Sequence, residues 1–167
     1  MTARQCLMWP DRRLKTPAAP VEAITDAIRA HWADMVDTME AMPGYGLGGP
    51  QIGVMLRLAV VDCSTERGQA ILLANPEILH ASGQFRDHDE GSPNLPGVSA
   101  TISRPRAVTV RYLNAEGQME DRDFINVWAT SVQHQIDHLN GRMYFDHLKP
   151  LKRKMLIAKS EKLMARQ

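Results

Sequence analysis

His134 and His138 stand four residues apart in the stretch Gln133-His134-Gln135-Ile136-Asp137-His138-Leu139-Asn140-Gly141. Residues four apart share a helix face, so the two imidazoles can point at one metal ion. The zinc-protease helix motif His-Glu-x-x-His uses this spacing, and there the residue after the first His is a catalytic Glu. Here that residue is Gln135. An amide takes up no proton at ordinary pH. The scaffold of a metal hydrolase is present, and the group that should move protons is missing.

Two further stretches carry groups able to do chemistry. Gly44-Tyr45-Gly46-Leu47-Gly48-Gly49-Pro50-Gln51-Ile52-Gly53 has four glycines within residues 44–49, so its backbone can turn sharply or approach another group closely. No Lys-Ser/Thr follows and no helical pattern begins there, which argues against a phosphate loop. A surface turn and a cleft-lining loop with Gln51 as its polar tool both remain open. Glu90-Gly91-Ser92-Pro93-Asn94-Leu95-Pro96-Gly97 is crowded with Pro and Gly and reads as a loop.

The elements that must position these groups follow from periodicity. Trp128, Val132, Ile136 and Leu139 are spaced 4, 4 and 3, an apolar stripe beside the histidines, and Asn140-Gly141 is a stop signal. Residues 1–19 read as irregular, with Pro10, Pro17 and Pro20 as punctuation. Pro20-Val21-Glu22 is expected to open a long helix. Val21, Ile24, Ile28, Trp32, Met35, Met39 and Met42 form its core face, and Pro43-Gly44 stops it. Strands are expected at 57–63, 70–75, 107–113 and about 118–124, with a hairpin turn at Asn114-Ala115-Glu116-Gly117. After Pro150 a last helix runs to the end. The order of helix, antiparallel strands, helix and helix predicts an α+β fold, with residues 1–167 as a single domain and a basic C-terminal helix over about 150–167.

Composition narrows the class. With 44% hydrophobic and 23% charged residues among 167, the chain suits a globular protein with a proper core. A net charge of +1 gives no overall field for nucleic acid, and no DNA partner is expected. Two cysteines, Cys6 and Cys63, are too few for a disulfide framework. No leader-like segment follows Met1-Thr2-Ala3-Arg4, and no apolar run nears the roughly 20 residues of a membrane span. The expected location is the cytoplasm, with no membrane partner.

The chain resembles the peptide deformylase family, and three motifs in order carry the resemblance. Gly44-Tyr45-Gly46-Leu47-Gly48-Gly49-Pro50-Gln51 is similar to Gly-x-Gly-x-Ala-Ala-x-Gln. Glu90-Gly91-Ser92-Pro93-Asn94 sits where the family has Glu-Gly-Cys-Leu-Ser, and Gln133 to His138 where it has Gln-His-Glu-x-Asp-His. Pro10-Asp11, Arg13-Leu14, Asn75-Pro76-Glu77-Ile78 and the tail from His147 to Arg153 extend the similarity over nearly the whole chain. The resemblance implies antiparallel and mixed sheets wrapped around the central His-x-x-x-His helix. It implies removal of the formyl group from the N-terminal methionine of nascent proteins. The metal, usually iron, would be held by two His and a Cys thiolate, with a Glu base. Gln51 and a backbone N–H after the Cys would cradle the oxyanion. It places Gly44, Tyr45, Gly46, Thr130 and Ser131 along the peptide cleft, the last two more polar than is usual there. It makes Glu90 and Arg104 a pair that braces the ligand loop.

Three positions depart from that pattern. Ser92 stands for the Cys ligand, and a neutral hydroxyl is a far poorer ligand than a thiolate. Pro93 stands where the oxyanion N–H is needed, and proline has none. Gln135 stands for the Glu. His134, His138 and Ser92 are then the metal candidates, with His88 or Asp89 as a substitute third ligand. The expected cofactor is none, or a weakly bound divalent ion, Fe2+ or Zn2+ in an active protein. The expected function is a deformylase-like protein with little or no hydrolase activity; the alternative is an active, divergent, metal-dependent peptide deformylase. A formylated or other N-terminal nascent peptide is the expected ligand. The C-terminal basic residues Lys149, Lys152, Arg153, Lys154, Lys159, Lys162 and Arg166, against the single acid Glu161, make the ribosome a second expected partner.

Overall fold

A computed structural model describes residues 2–167, so Met1, placed in the irregular start by sequence, lies outside it. The order is α1 (Asp26–Ala41), β1 (Gly46–Gly48), β2 (Leu58–Val61), β3 (Ile71–Ala81), β4 (Phe85–Ser92), β5 (Leu95–Pro105), β6 (Ala107–Leu113), β7 (Met119–Ile125), α2 (Val127–Leu139) and α3 (Pro150–Ala165). One sheet runs β1-β2-β3-β6-β7 and a separate hairpin pairs β4 with β5. All these pairings are antiparallel; the parallel contact is an isolated bridge from Ala19 to Leu56. The fold is α+β, as the sequence predicts.

The sheet is covered on both faces. β2 is buried at all four positions. A strand with a helix on each side reads as a continuous apolar run. Leu58 and Val60 pack with Trp32, Met35 and Met39 of α1. Val61, one residue on, packs with Ala129, Val132 and Ile136 of α2. A third cluster joins Leu95 and Ile102 to Met143, Tyr144 and Phe145, with Leu156 and Ile157 of α3 against it. Among the described residues no helix is long and apolar enough to cross a membrane.

Three sequence expectations are corrected. The first helix begins after Thr25, whose side chain accepts from the Ile28 N–H, and not at Pro20. Asn75 takes both backbone groups of Val21, at 2.8 and 2.7 Å, and so holds residues 20–24 out of the helix. The glycine-rich stretch is no simple loop, since Gly46–Gly48 pairs with β2 as strand β1. Glu90 to Gly97 is likewise not a loop: two strands run through it and reverse at Pro93-Asn94.

α2 is fixed at its end as the Asn140-Gly141 signal suggests. Gly141 has φ 77, and a Cβ there would lie 2.8 Å from the Lys15 backbone. The orphan carbonyl of Leu139 accepts from the Ala18 N–H and from Arg57, which also reaches Asn140 Oδ1. Such partners satisfy the groups that a helix end leaves open.

Candidate functional site

α2 carries His134, Gln135 and His138 between β1 and the β4–β5 hairpin. β1 comes this close because Gly46 and Gly48, on either side of Leu47, carry no side chain. A Cβ on Gly46 would lie 2.6 Å from Gln135 Nε2 and 2.7 Å from Ser131 Oγ, and one on Gly48 would lie 3.2 Å from His138 Cβ. The glycines therefore allow strand against helix, and Gln51 follows in a short 3-10 turn with its Oε1 accepting the Gly48 N–H at 2.9 Å.

These elements enclose a cleft of about 450 Å³. Gly44, Tyr45, Gly46, Gln51, Ser92, Pro93, Thr130, Ser131, His134 and Gln135 all line it, while His138 lies behind them, buried. The Thr130 hydroxyl accepts from Arg86 at 3.0 Å, and Ser131 donates to the Tyr45 carbonyl at 2.9 Å. His88 and Asp89 also line the cleft. Asp89 is exposed and accepts from Thr101.

The histidines are held as a pair. Their Nε2 atoms are 3.1 Å apart. Two nitrogens bound to one tetrahedral metal at about 2.0–2.1 Å would be roughly 3.3 Å apart. Behind them Glu90 accepts from His134 Nδ1 at 2.8 Å and from Arg104 at 2.6 and 2.9 Å, and Arg104 also reaches Asp137 at 2.9 Å. Burial pushes the Glu90 carboxyl up, but His134 and Arg104 outweigh it and hold the group at about 2. An ionised Glu90 requires a proton on His134 Nδ1. In neutral His134 the Nε2 is then bare and accepts the Nε2–H of His138. Burial, and then His134, push the His138 pKa well below its ordinary value, so it is neutral. Its Nδ1 is enclosed without a partner.

The third metal ligand is where the arrangement stops fitting. Ser92 Oγ donates to Asn94 Oδ1 at 2.9 Å and accepts from the Asn94 N–H at 3.3 Å. Among the described residues no group of three His, Cys, Asp or Glu could hold a metal ion, so neither His88 nor Asp89 completes the pair. A neutral hydroxyl tied into another network does not replace a thiolate. The residues present therefore do not fit the family's metal.

Gln51 and Gln135 differ in their state. Gln51 Nε2 donates to Asn94 Oδ1 at 2.7 Å and sits 3.4 Å from Ser92 Oγ. Asn94 in turn donates to the carbonyls of Leu7, at 2.6 Å, and Gln51, at 3.1 Å. Sequence reasoning missed Asn94, because an Asn beside Pro in a turn looks like turn chemistry alone. Gln135 has no side-chain hydrogen bond among the described residues, and its Oε1 is enclosed and unpartnered. Pro93, half-buried at the hairpin turn, offers no N–H to the cleft.

Comparison with known proteins agrees with this fold. The family model described as Polypeptide deformylase matches residues 3–154. A protein of Bradyrhizobium diazoefficiens named Peptide deformylase-like is 41% identical over 163 residues, covering 98% of this chain and 95% of that one. A protein of Afipia carboxidovorans named Peptide deformylase is 38% identical, covering 97% and 96%. The crystal structure of peptide deformylase from Ehrlichia chaffeensis superposes with a TM-score of 0.92 at 30% identity over 98% of both chains. A Met-Ala-Ser-bound peptide deformylase of Acinetobacter baumannii gives 0.82 at 28% identity, covering 87% of this chain and 98% of that one.

Proposed function

The chain belongs to the polypeptide deformylase family, and from that membership we propose that its cleft takes up the N-terminus of a formylated nascent peptide and holds it with little or no hydrolysis. One observation carries this reading: the position of the base is a buried amide, Gln135, beside two histidines without a third strong ligand. Losing a general base forfeits about 10²–10⁴ in rate. Losing an oxyanion donor costs about 10²–10³. Such losses do not simply add when the groups act as a unit. Gln135 can position a ligand, and Gln51 can line the cleft, but neither moves a proton.

A second reading is an active deformylase. The relatives' names favour it, since Peptide deformylase is the name most of them carry. The paired histidines and the Glu90–Arg104 brace also favour it. Mass spectrometry of N-formyl-Met-Ala-Ser incubated with the protein separates the two. Loss of the formyl group near the uncatalysed rate is expected. Turnover of about 1 s⁻¹ or more, near the low end of ordinary enzymes, would establish the second reading.

The proposal places the protein in the cytoplasm beside translating ribosomes, with α3 as its contact. Lys149, Lys152, Lys154, Lys159, Lys162 and Arg166 are exposed. Arg153 is instead paired with Asp146 at 3.0 Å. Ile157 and Leu163 of α3 are half-buried, whereas Leu151, Met155 and Met164 are exposed.

A further inference from the structure

Among the described residues, Arg86 is a half-buried arginine without a carboxylate partner, and its one side-chain hydrogen bond runs from Nη1 to Thr130 Oγ1 at 3.0 Å. The other half-buried arginines are engaged. Arg67 pairs with Glu40 and Arg153 with Asp146, while Arg57 donates to the Leu139 carbonyl and to Asn140. A cation drawn out of water without a counter-charge is unfavourable. Arg86 is in that state at the edge of the cleft, since Thr130 lines it.

Its place follows from β4. That strand alternates, with Arg86, His88 and Glu90 on the covered face and Asp87 and Asp89 exposed on the other. On the covered face Glu90 meets His134 of α2, and Arg86 meets Thr130, one turn earlier on the same helix. His88 lies between them in the strand and lines the cleft. The nearby carboxylates are committed elsewhere. Glu90 is taken by Arg104 and His134, and Asp89, at the rim, accepts from Thr101 at 2.7 Å.

We propose that this wall of the cleft, made by Arg86, His88 and Thr130, takes the carboxylate of a bound ligand. With Nη1 on Thr130, the guanidinium keeps Nε and Nη2, the parallel N–H pair that grips a carboxylate at two points. The Thr130 hydroxyl accepts from Arg86, so its own proton is free to donate. His88 has a ring N–H in either tautomer and no side-chain hydrogen bond among the described residues. Arg86 and His88 both keep open surface. One fixed cation matches the single charge of a carboxylate, whereas a phosphate group brings nearly two. An apolar side chain laid on this wall would cover polar groups and supply no acceptor. The site is on the wall and not the floor, so it goes beyond the reading of the cleft as a place for a formylated N-terminus and is tested apart from it.

Titration calorimetry at pH 7, where a glutamate side chain with its pKa of about 4.3 is ionised, tests this. The peptides are amidated at the C-terminus, so that the side chain carries the only carboxylate. N-formyl-Glu-Ala-Ser-amide and N-formyl-Met-Glu-Ser-amide are each compared with the peptide that has Gln in place of Glu, and glutarate is titrated as a free acid. In at least one pair the wild type is expected to bind the Glu peptide about tenfold or more tighter, the scale of a hydrogen-bonded charge pair. Arg86→Met is expected to abolish that preference. Arg86→Lys, which keeps the charge and loses the fork, is expected to reduce it. Circular dichroism checks that both variants fold, and the wild-type comparison decides even where one does not. Equal binding within both pairs, or an unchanged preference in Arg86→Met, would overturn the carboxylate site alone. Glutarate bound by the wild type and lost in Arg86→Met, with no peptide bound, would uphold the carboxylate site and overturn the peptide reading. Binding of neither peptides nor glutarate would overturn both.

Discussion

Gln51 and Asn94 face each other at the foot of the cleft, the Nε2 of one donating to the Oδ1 of the other at 2.7 Å. Asn94 also ties the Leu7 and Gln51 carbonyls together, so the N-terminal segment, the turn after β1 and the β4–β5 hairpin meet at one side chain. Asn94→Ala would leave several buried partners open, at about 1–3 kcal/mol for an unsatisfied group. A fall in melting temperature of about 5–10 °C is expected for a chain of this size. A change below about 2 °C in thermal denaturation would show that the network is incidental.

The same contact sets what restored chemistry requires. Wild-type protein dialysed against a mild chelator is expected to retain little iron or zinc and to melt unchanged, as elemental analysis and denaturation would check. Ser92→Cys, Pro93→Leu and Gln135→Glu together are expected to bring back stoichiometric metal. Gln51 would still be held by Asn94, so adding Asn94→Ser is expected to raise turnover by about 10², the worth of one oxyanion donor. Gln135→Glu alone should do little. A large gain from that single change would contradict this account of the site.

Asp62 should contribute to acid sensitivity. Burial pushes its carboxyl up, but the Ser64 hydroxyl, the Ser64 and Gln69 N–H groups and Arg67 outweigh burial and leave it lowered. A carboxyl lowered in the folded state adds stability above the unfolded pKa of about 3.9, and that stability is lost as pH falls through the folded value. Asp62→Asn is expected to cost about 1–2 kcal/mol at pH 7. The gap to wild type should narrow below about pH 4. Urea melts between pH 7 and 3 test this, and a gap that widens with acid would refute it.

Neutralising Lys152, Lys159 and Lys162 is expected to abolish co-sedimentation with ribosomes at low salt, because each phosphate contact releases counterions. Folding should be intact, since these side chains are exposed and the helix is docked elsewhere, with Ser160 Oγ donating to the Pro96 carbonyl at 2.6 Å. Wild-type protein that stays in the supernatant at low salt would remove the ribosomal role.

The parts legible in sequence were those with a period. The stripe beside the histidines, the alternation of β6, and the Asn140-Gly141 stop all depend on local spacing. What escaped depends on partners distant in sequence. β1 is a strand because β2 lies beside it, although glycine has little strand propensity. Val21 leaves the helix because Asn75 reaches it across 54 residues. Asn94 matters because Gln51 and Leu7 converge on it. No residue type announces such a meeting before the chain has folded.

Ser92 has one more consequence. Cys6 and Cys63, both half-buried, lie outside the cleft lining, so no thiol faces the ligand. A thiolate at that position would climb the oxidation ladder under peroxide, whereas a serine hydroxyl does not. Whatever the cleft holds, it should hold equally well before and after treatment with iodoacetamide, and in cells starved of iron.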